Sequence, residues 1–409
     1  MDGSTTGRVR RRIVFYVPGF DPIHPRRYRE LYRREAAAQA EISDIDITLS
    51  AAQGRRFGWD VTARIEGAEV RSEFEVLVWS DIVRDQMRGG VAATYLQLLR
   101  TAWTYIGSGA LRRLMRLRKG PVIAALYPVA MLLMQLGLAL AAGALAGRAA
   151  AWGATRLGVP GVIAYWPVLV AVCWALLEWF RRHDRRFFAY YLMHDYAFAA
   201  RWGGANPDAL EARLALFENR IAAALREDVD EVLVVGHSSG AHLAVSVLSD
   251  LIRAGRRPEG GPSLGFLSLG QVVPMMSFLP RAARLRADLA YLSARDELAW
   301  VDVTAPGDGC AFALCDPVAV SGVAPDHQRW PLVISAAFTQ TLSPARWREL
   351  RWRFFRLHFQ YLCAFDRPGD YDYFRVTAGP LTLADRFAGR AASRSAIRRA
   401  LSPHVTTAA

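Results

Sequence analysis

Two serines in this chain stand in the pattern Gly-x-Ser-x-Gly: Ser238 in Gly236-His237-Ser238-Ser239-Gly240, and Ser263 in Gly261-Pro262-Ser263-Leu264-Gly265. A serine hydroxyl attacks a carbonyl only when a neighbouring base takes its proton and nearby donors hold the resulting oxyanion. The five-residue pattern is weak by itself, so its flanks decide. Before Gly236 the run Asp230–Val235 (DEVLVV) reads as a strand, and after it AHLAVSVLSDLI reads as a helix. A serine on so tight a strand-to-helix turn is held in strained backbone. The glycines two residues either side let the chain pass itself without side-chain collision. The helix start adds partial positive charge where an oxyanion would form. Ser263 precedes a strand and has proline beside it, so it is expected in a loop. Ser238 is the expected nucleophile.

The elements that must position it follow from hydrophobic patterning. Residues 12–19 (RIVFYVPG) read as a buried strand ended by Gly19, and 25–41 as a helix. Residues 45–50 and 60–80 alternate as strands with a turn at Glu66-Gly67, and VLVW at 76–79 reads as a further core strand. Residues 89–118 read as helix. Past the middle of the chain, 207–227 is an amphipathic helix, 231–235 a strand, 240–254 a helix, 264–269 a strand, 279–294 a helix and 298–304 a strand. Residues 331–338 (PLVISAAF) read as the last strand, followed by a long aromatic- and arginine-rich helix to about 363. From about 385 the chain is rich in Arg, Ala and Ser, as a surface helix or a disordered tail. Strands alternating with helices predict an α/β fold: a mostly parallel sheet with helices on both faces.

The strand–GHSSG–helix unit resembles that of the α/β-hydrolase superfamily, especially its lipase- and esterase-like members. The resemblance is loose over 12–80, good over 207–365, and absent over 89–200. It implies an oxyanion loop after an early strand, matched by Val17-Pro18-Gly19-Phe20-Asp21, with proline where the family often has histidine. The two amide donors then map to Phe20 and Ser239. The family's order of serine, acid, histidine implies an acid just after strand 298–304. Asp308 in Ala305-Pro306-Gly307-Asp308 is the first candidate, Asp316 in Cys315-Asp316-Pro317 the alternative, while Asp302 inside the strand is structural. A histidine should follow the last strand, where only His358 and His404 stand, and His358 is the choice. His237 and His242 need no catalytic role. The triad Ser238, Asp308 and His358 would work without a metal or organic cofactor.

Two further segments set the context of this chemistry. Residues 121–147 and 157–177 carry no charge. As helices they would extend roughly 40 Å and about 32 Å, enough for a ~30 Å hydrocarbon core. Arg112, Arg113, Arg116, Arg118 and Lys119 precede the pair, Arg181, Arg182, Arg185 and Arg186 follow it, and only Arg148 and Arg156 lie between. This asymmetry predicts a two-helix, multi-pass hairpin with both chain ends cytoplasmic. Trp152, Trp174, Trp179 and Phe180 stand near its ends, as interfacial aromatics do.

The chain has a net charge of +13, and Lys119 is its sole lysine. With no zinc spacing, basic heptads or RNA-binding signature, the basic balance points to the bilayer and not to nucleic acid. The 409 residues divide into 1–118 and 187–385 as two parts of one hydrolase domain, 119–186 as the hairpin, and 386–409 as a basic tail. Cys173, Cys310, Cys315 and Cys363 fit no metal or redox spacing and are expected as thiols. No secretory signal is read at the N-terminus. The expected function is a membrane-anchored esterase or lipase-like serine hydrolase acting on an acyl ester. The alternative is a catalytically inactive hydrolase-fold scaffold.

Overall fold

The computed structural model describes residues 8–52, 54 and 57–408. The N-terminal half contains β1 (Arg11–Val17), α1 (Arg26–Ser43), β2 (Asp46–Ala51), β3 (Gly58–Ile65), β4 (Ala68–Val76), α2 (Ser80–Gln86), α3 (Val91–Gly107) and α4 (Ala110–Leu117). Two long helices, α5 (Lys119–Arg156) and α6 (Gly161–Arg182), form a hairpin. Then come α7 (Ala189–Arg201), α8 (Asp208–Ala224), β5 (Glu231–His237), α9 (Ser239–Arg253), β6 (Ser263–Leu269), α10 (Val273–Ser277), α11 (Ala283–Ser293), β7 (Ala299–Thr304), α12 (Pro317–Val320) and β8 (Leu332–Ser335), followed by short helical turns.

The eight strands form one sheet in the order β2-β3-β4-β1-β5-β6-β7-β8. The β2–β3 and β3–β4 pairs are antiparallel and all the others parallel. The chain is therefore α/β with a mostly parallel sheet. Central β5 is buried along its whole length, which explains its unbroken run of β-branched residues. Ile13, Phe15 and Val17 of β1 pack with α8, α9 and α11, while Val14 and Tyr16 pack with α1 and the C-terminal turns. From β1 the chain runs out to β2 and returns through β4. From β5 it runs the other way, so β1 and β5 meet where the connections diverge. Parallel sheets open a crevice at the carboxyl ends of such strands.

Several elements differ from expectation. Of VLVW, only Val76 belongs to a strand; Trp79 turns in so that its Nε1 donates to Pro18 O at 2.9 Å. The helix expected over 89–118 is broken at Gly109, at φ 75°. The long helix expected after 338 is several turns: Ser343 Oγ accepts from the Arg346 amide and starts a new one, and Arg353 at ψ 67° interrupts the next. Ser263 opens β6 and is not in a loop. The tail is neither a surface helix nor a loose end. Ser393 N donates to Val333 O along the outer edge of β8, and Ile397 bridges Cys315. The tail thus covers an otherwise open strand edge. Helix α7 was not foreseen at all. All four cysteines are free.

Helices α5 and α6, with mean hydropathy of 2.1 and 1.8, are long and apolar enough to cross a membrane. Over their most apolar windows only 22% and 6% of residues are buried. At 38 residues α5 is about 57 Å long, so its first turns pack on α3 and α7 and the rest projects. Glycines bring the pair together. A Cβ on Gly143 would lie 2.7 Å from Leu169 O, and one on Gly147 2.8 Å from Tyr165 O. This is small-residue packing of the kind that joins helices in lipid.

Candidate active site

Ser238 occupies the turn between β5 and α9 with φ 57° and ψ −122°. Such backbone costs a non-glycine residue about 1–3 kcal/mol and persists only when its surroundings impose it. Here Ser238 N donates to Leu269 O at 2.9 Å, tying the turn to the end of β6. The flanking glycines have steric reasons. A Cβ on Gly236 would stand 2.8 Å from Ala241 Cα, and one on Gly240 2.0 Å from Val17 O.

The loop after β1 lies against this serine. A Cβ on Gly19 would fall 3.0 Å from Ser238 Cβ and 3.4 Å from its Oγ. The loop is fixed from both sides, by Trp79 on Pro18 O and by the Tyr191 hydroxyl donating to Phe20 O at 2.6 Å. Asp21 accepts from the Ile23 amide and the Tyr28 hydroxyl and pairs with Arg27. Among the described residues, neither the Phe20 nor the Ser239 amide has a protein acceptor. Both residues line the cavity, so their amides remain free to donate to a partner there. Two unspent donors beside one serine oxygen can hold a developing oxyanion.

Asp308 follows β7, and its Oδ2 lies 2.7 Å from His358 Nδ1. A carboxylate only accepts, so Nδ1 carries the proton and Nε2 is left as the basic nitrogen. The same Oδ2 accepts from the Tyr361 hydroxyl at 3.0 Å, and Oδ1 accepts from the Cys310 amide at 2.8 Å. Burial opposes ionisation of Asp308. The facing His358 and these hydrogen bonds outweigh it and hold the carboxyl below its ordinary value. Cys310, Asp308 and His358 place their donor atoms within 4.8 Å of one another. The bond between the carboxylate and the ring accounts for that closeness, and burial pushes the Cys310 thiol well up, away from the thiolate a metal needs.

The structure thus brings Ser238, Ser239, Phe20 and His358 to one cavity, with Asp308 behind the histidine. No hydrogen bond joins Ser238 Oγ to the His358 ring among the described residues. Asp316 is elsewhere. It caps α12 through the amides of Val318 and Ala319 and accepts from Gln328. Asp302 stays inside β7, accepting from Ser268 Oγ at 2.6 Å; burial pushes it up to about 8. The carbonyl of His404 accepts from Ser402 Oγ in the tail.

Three residues escaped sequence reasoning. His237 Nε2 donates to His358 O at 2.9 Å, so the histidine of the turn holds the backbone of the other histidine. Tyr361 links Asp308 to the Ala305 amide. Asp195 of α7 lines the cavity without a hydrogen bond or ion pair among the described residues, and burial raises it to about 7 against the opposing influence of His358. No local signal marks any of them.

The cavity encloses about 1810 Å³. It extends from Ser238 past α7 to the base of the hairpin, where Gly120, Ile123 and Tyr127 of α5 line it, and to the segment 352–356. Comparison with family profiles, with curated proteins and with solved structures finds no match to this chain.

Proposed function

We propose that this protein is a membrane-anchored serine hydrolase of the α/β-hydrolase type that cleaves carboxylic esters, lipid esters among them. The observation that carries the reading is the strained Ser238 turn opening into the same cavity as the Asp308–His358 pair. His358 Nε2 takes the Ser238 proton as Oγ attacks the ester carbonyl. The oxyanion lies on the Phe20 and Ser239 amides. The C–O bond breaks and the alcohol leaves with the proton from His358. Water, deprotonated by the same nitrogen, then releases the acid and restores the serine. Asp308 keeps the imidazole in the required tautomer and stabilises its cation. The hairpin spans the bilayer, and the basic flanks of α5 and α6 keep the hydrolase domain at the cytoplasmic face.

The test is labelling of membranes by a fluorophosphonate, which phosphonylates an activated serine as fluoride leaves. The reading expects label on wild type that disappears in Ser238→Ala and His358→Ala. Folded wild type that takes no label would overturn it.

The second reading, a scaffold without turnover, is favoured by the lack of a hydrogen bond between Ser238 and His358. Catalytic hydrogen bonds often tighten only when substrate binds, so we place the enzyme first. The two part on the same labelling experiment.

A further inference from the structure

The mouth of the cavity has a composition of its own. Residues 351–356 read Arg-Trp-Arg-Phe-Phe-Arg and all six are exposed, with Trp352 at 72%. A soluble surface seldom shows such a run. Phe354 packs against Gly309, next to the acid Asp308, and Phe355 lies 5.5 Å from Phe188, just beyond α6. Gly120, at the start of α5, approaches Gly309 from the other side. Exposed apolar groups of this segment therefore join the base of the hairpin, at the start of α5 and just beyond α6, in one rim. Charge adds a second constraint. Arg353 and Arg356 share the one carboxylate of Glu349, each at 3.1 Å, and the rim cation Arg185 has no acidic partner among the described residues, so the rim carries excess positive charge.

We infer that this rim seats in the cytoplasmic leaflet and admits an anionic glycerophospholipid sideways. The acyl ester reaches Ser238, and the phosphate lies among the arginines of 351–356 and Arg185. The inference rests on reading Ser238 as the nucleophile of an esterase. Aromatic side chains suit the interfacial depth, and guanidinium groups suit a phosphate there. A water-soluble ester would need neither.

The experiment uses full-length Ser238→Ala protein in nanodiscs, with phosphatidylglycerol or phosphatidylcholine carrying a diazirine in one acyl chain. Illumination is followed by peptide mapping. Expected is cross-linking to peptides lining the cavity, at least threefold stronger for phosphatidylglycerol. That ratio should fall toward one in Arg353→Gln/Arg356→Gln, and separately in Arg185→Gln. These side chains are exposed, so folding is little at stake. Equal cross-linking of the two lipids, a ratio unmoved by both variants, or label confined to the outer faces of α5 and α6 would overturn the inference. Fluorophosphonate labelling of wild type, run in parallel, separates the two claims. Label without cavity cross-links sinks the lipid mouth and spares the hydrolase. Cross-links without label do the reverse.

Discussion

The segments 236–240 and 261–265 share one pattern and sit at opposite ends of neighbouring strands. Ser238 follows β5 and Ser263 opens β6. The strands pair in parallel with Glu231 opposite Ser263 and His237 opposite Leu269, which puts the two serines about 20 Å apart along the sheet. Only the first segment lies at the carboxyl edge, where the loops after β1, β6 and β7 converge. Of the two serines Ser238 alone has positive φ, and the loop after β1 lies against it. The difference teaches that the pattern acquires chemical meaning from its register in the sheet. Gly240 is needed because the carbonyl of Val17 passes beside it. A Cβ on Gly265 would meet the flexible end of Leu233 at 2.9 Å.

The sharpest break of this comparison is to remove each hydroxyl. Ser238→Ala should lower ester turnover by roughly 10⁴-fold or more, and Ser263→Ala should stay within about twofold. Kinetics of a short-chain ester read both. Comparable losses from the two would mean that the segments had been misjudged. Next is Asp308→Asn, which keeps the shape but favours the wrong imidazole tautomer; a fall near 10⁴-fold in kcat is expected. Asp316→Asn, at the cap of α12, should leave kcat within about twofold. A larger effect at Asp316 would reverse the assignment of the acid. Third is Gly19→Ala. The added methyl would press on Ser238 Cβ and shift the Phe20 amide, and losing one oxyanion donor costs about 10²-fold in kcat. An unchanged kcat would remove Phe20 from the site.

The comparison also explains what was legible. The sequence signals of the Ser238 turn all lie within about ten residues: a β-branched run, two glycines and a helix. Local patterning therefore found it. Asp308 and His358 were reached only through resemblance, because their approach to 2.7 Å depends on where β7 and a broken helix end. That break, at Arg353, falls in a run without glycine or proline, so nothing in the sequence announces it. The same is true of the third-layer contacts. Tyr361 and His237 act on partners 53 and 121 residues away, and nothing local records such pairs. Sheet class and hairpin were legible because apolar periodicity and uncharged length are local. The glycine packing of α5 on α6 needed the partner helix to be seen.

The smallest expected effect sharpens the contrast at the second position of each pattern, His237 against Pro262. His237 is buried, and burial, followed by the influence of His358, pushes its imidazole down to about 3. In the unfolded chain it titrates near its ordinary 6.5. As pH falls through the window between these values, the unfolded chain takes up a proton that the folded one refuses. Stability must therefore fall with falling pH there, by at most about 1.4 kcal/mol per pH unit from this group. Neutral His237 also carries the Nε2–H that holds His358 O. His237→Asn keeps an amide donor but does not titrate, so its stability between pH 6.5 and 4 should fall less steeply than that of wild type. His194 and His242, both lowered by burial to about 4, leave a residual slope in each protein. Pro262→Ala has no titrating group to lose and should follow wild type throughout. Denaturant unfolding at several pH values measures the three slopes. Identical slopes for wild type and His237→Asn would show that the turn histidine is not the buried neutral base it is taken for, and would undo its role as the support of His358.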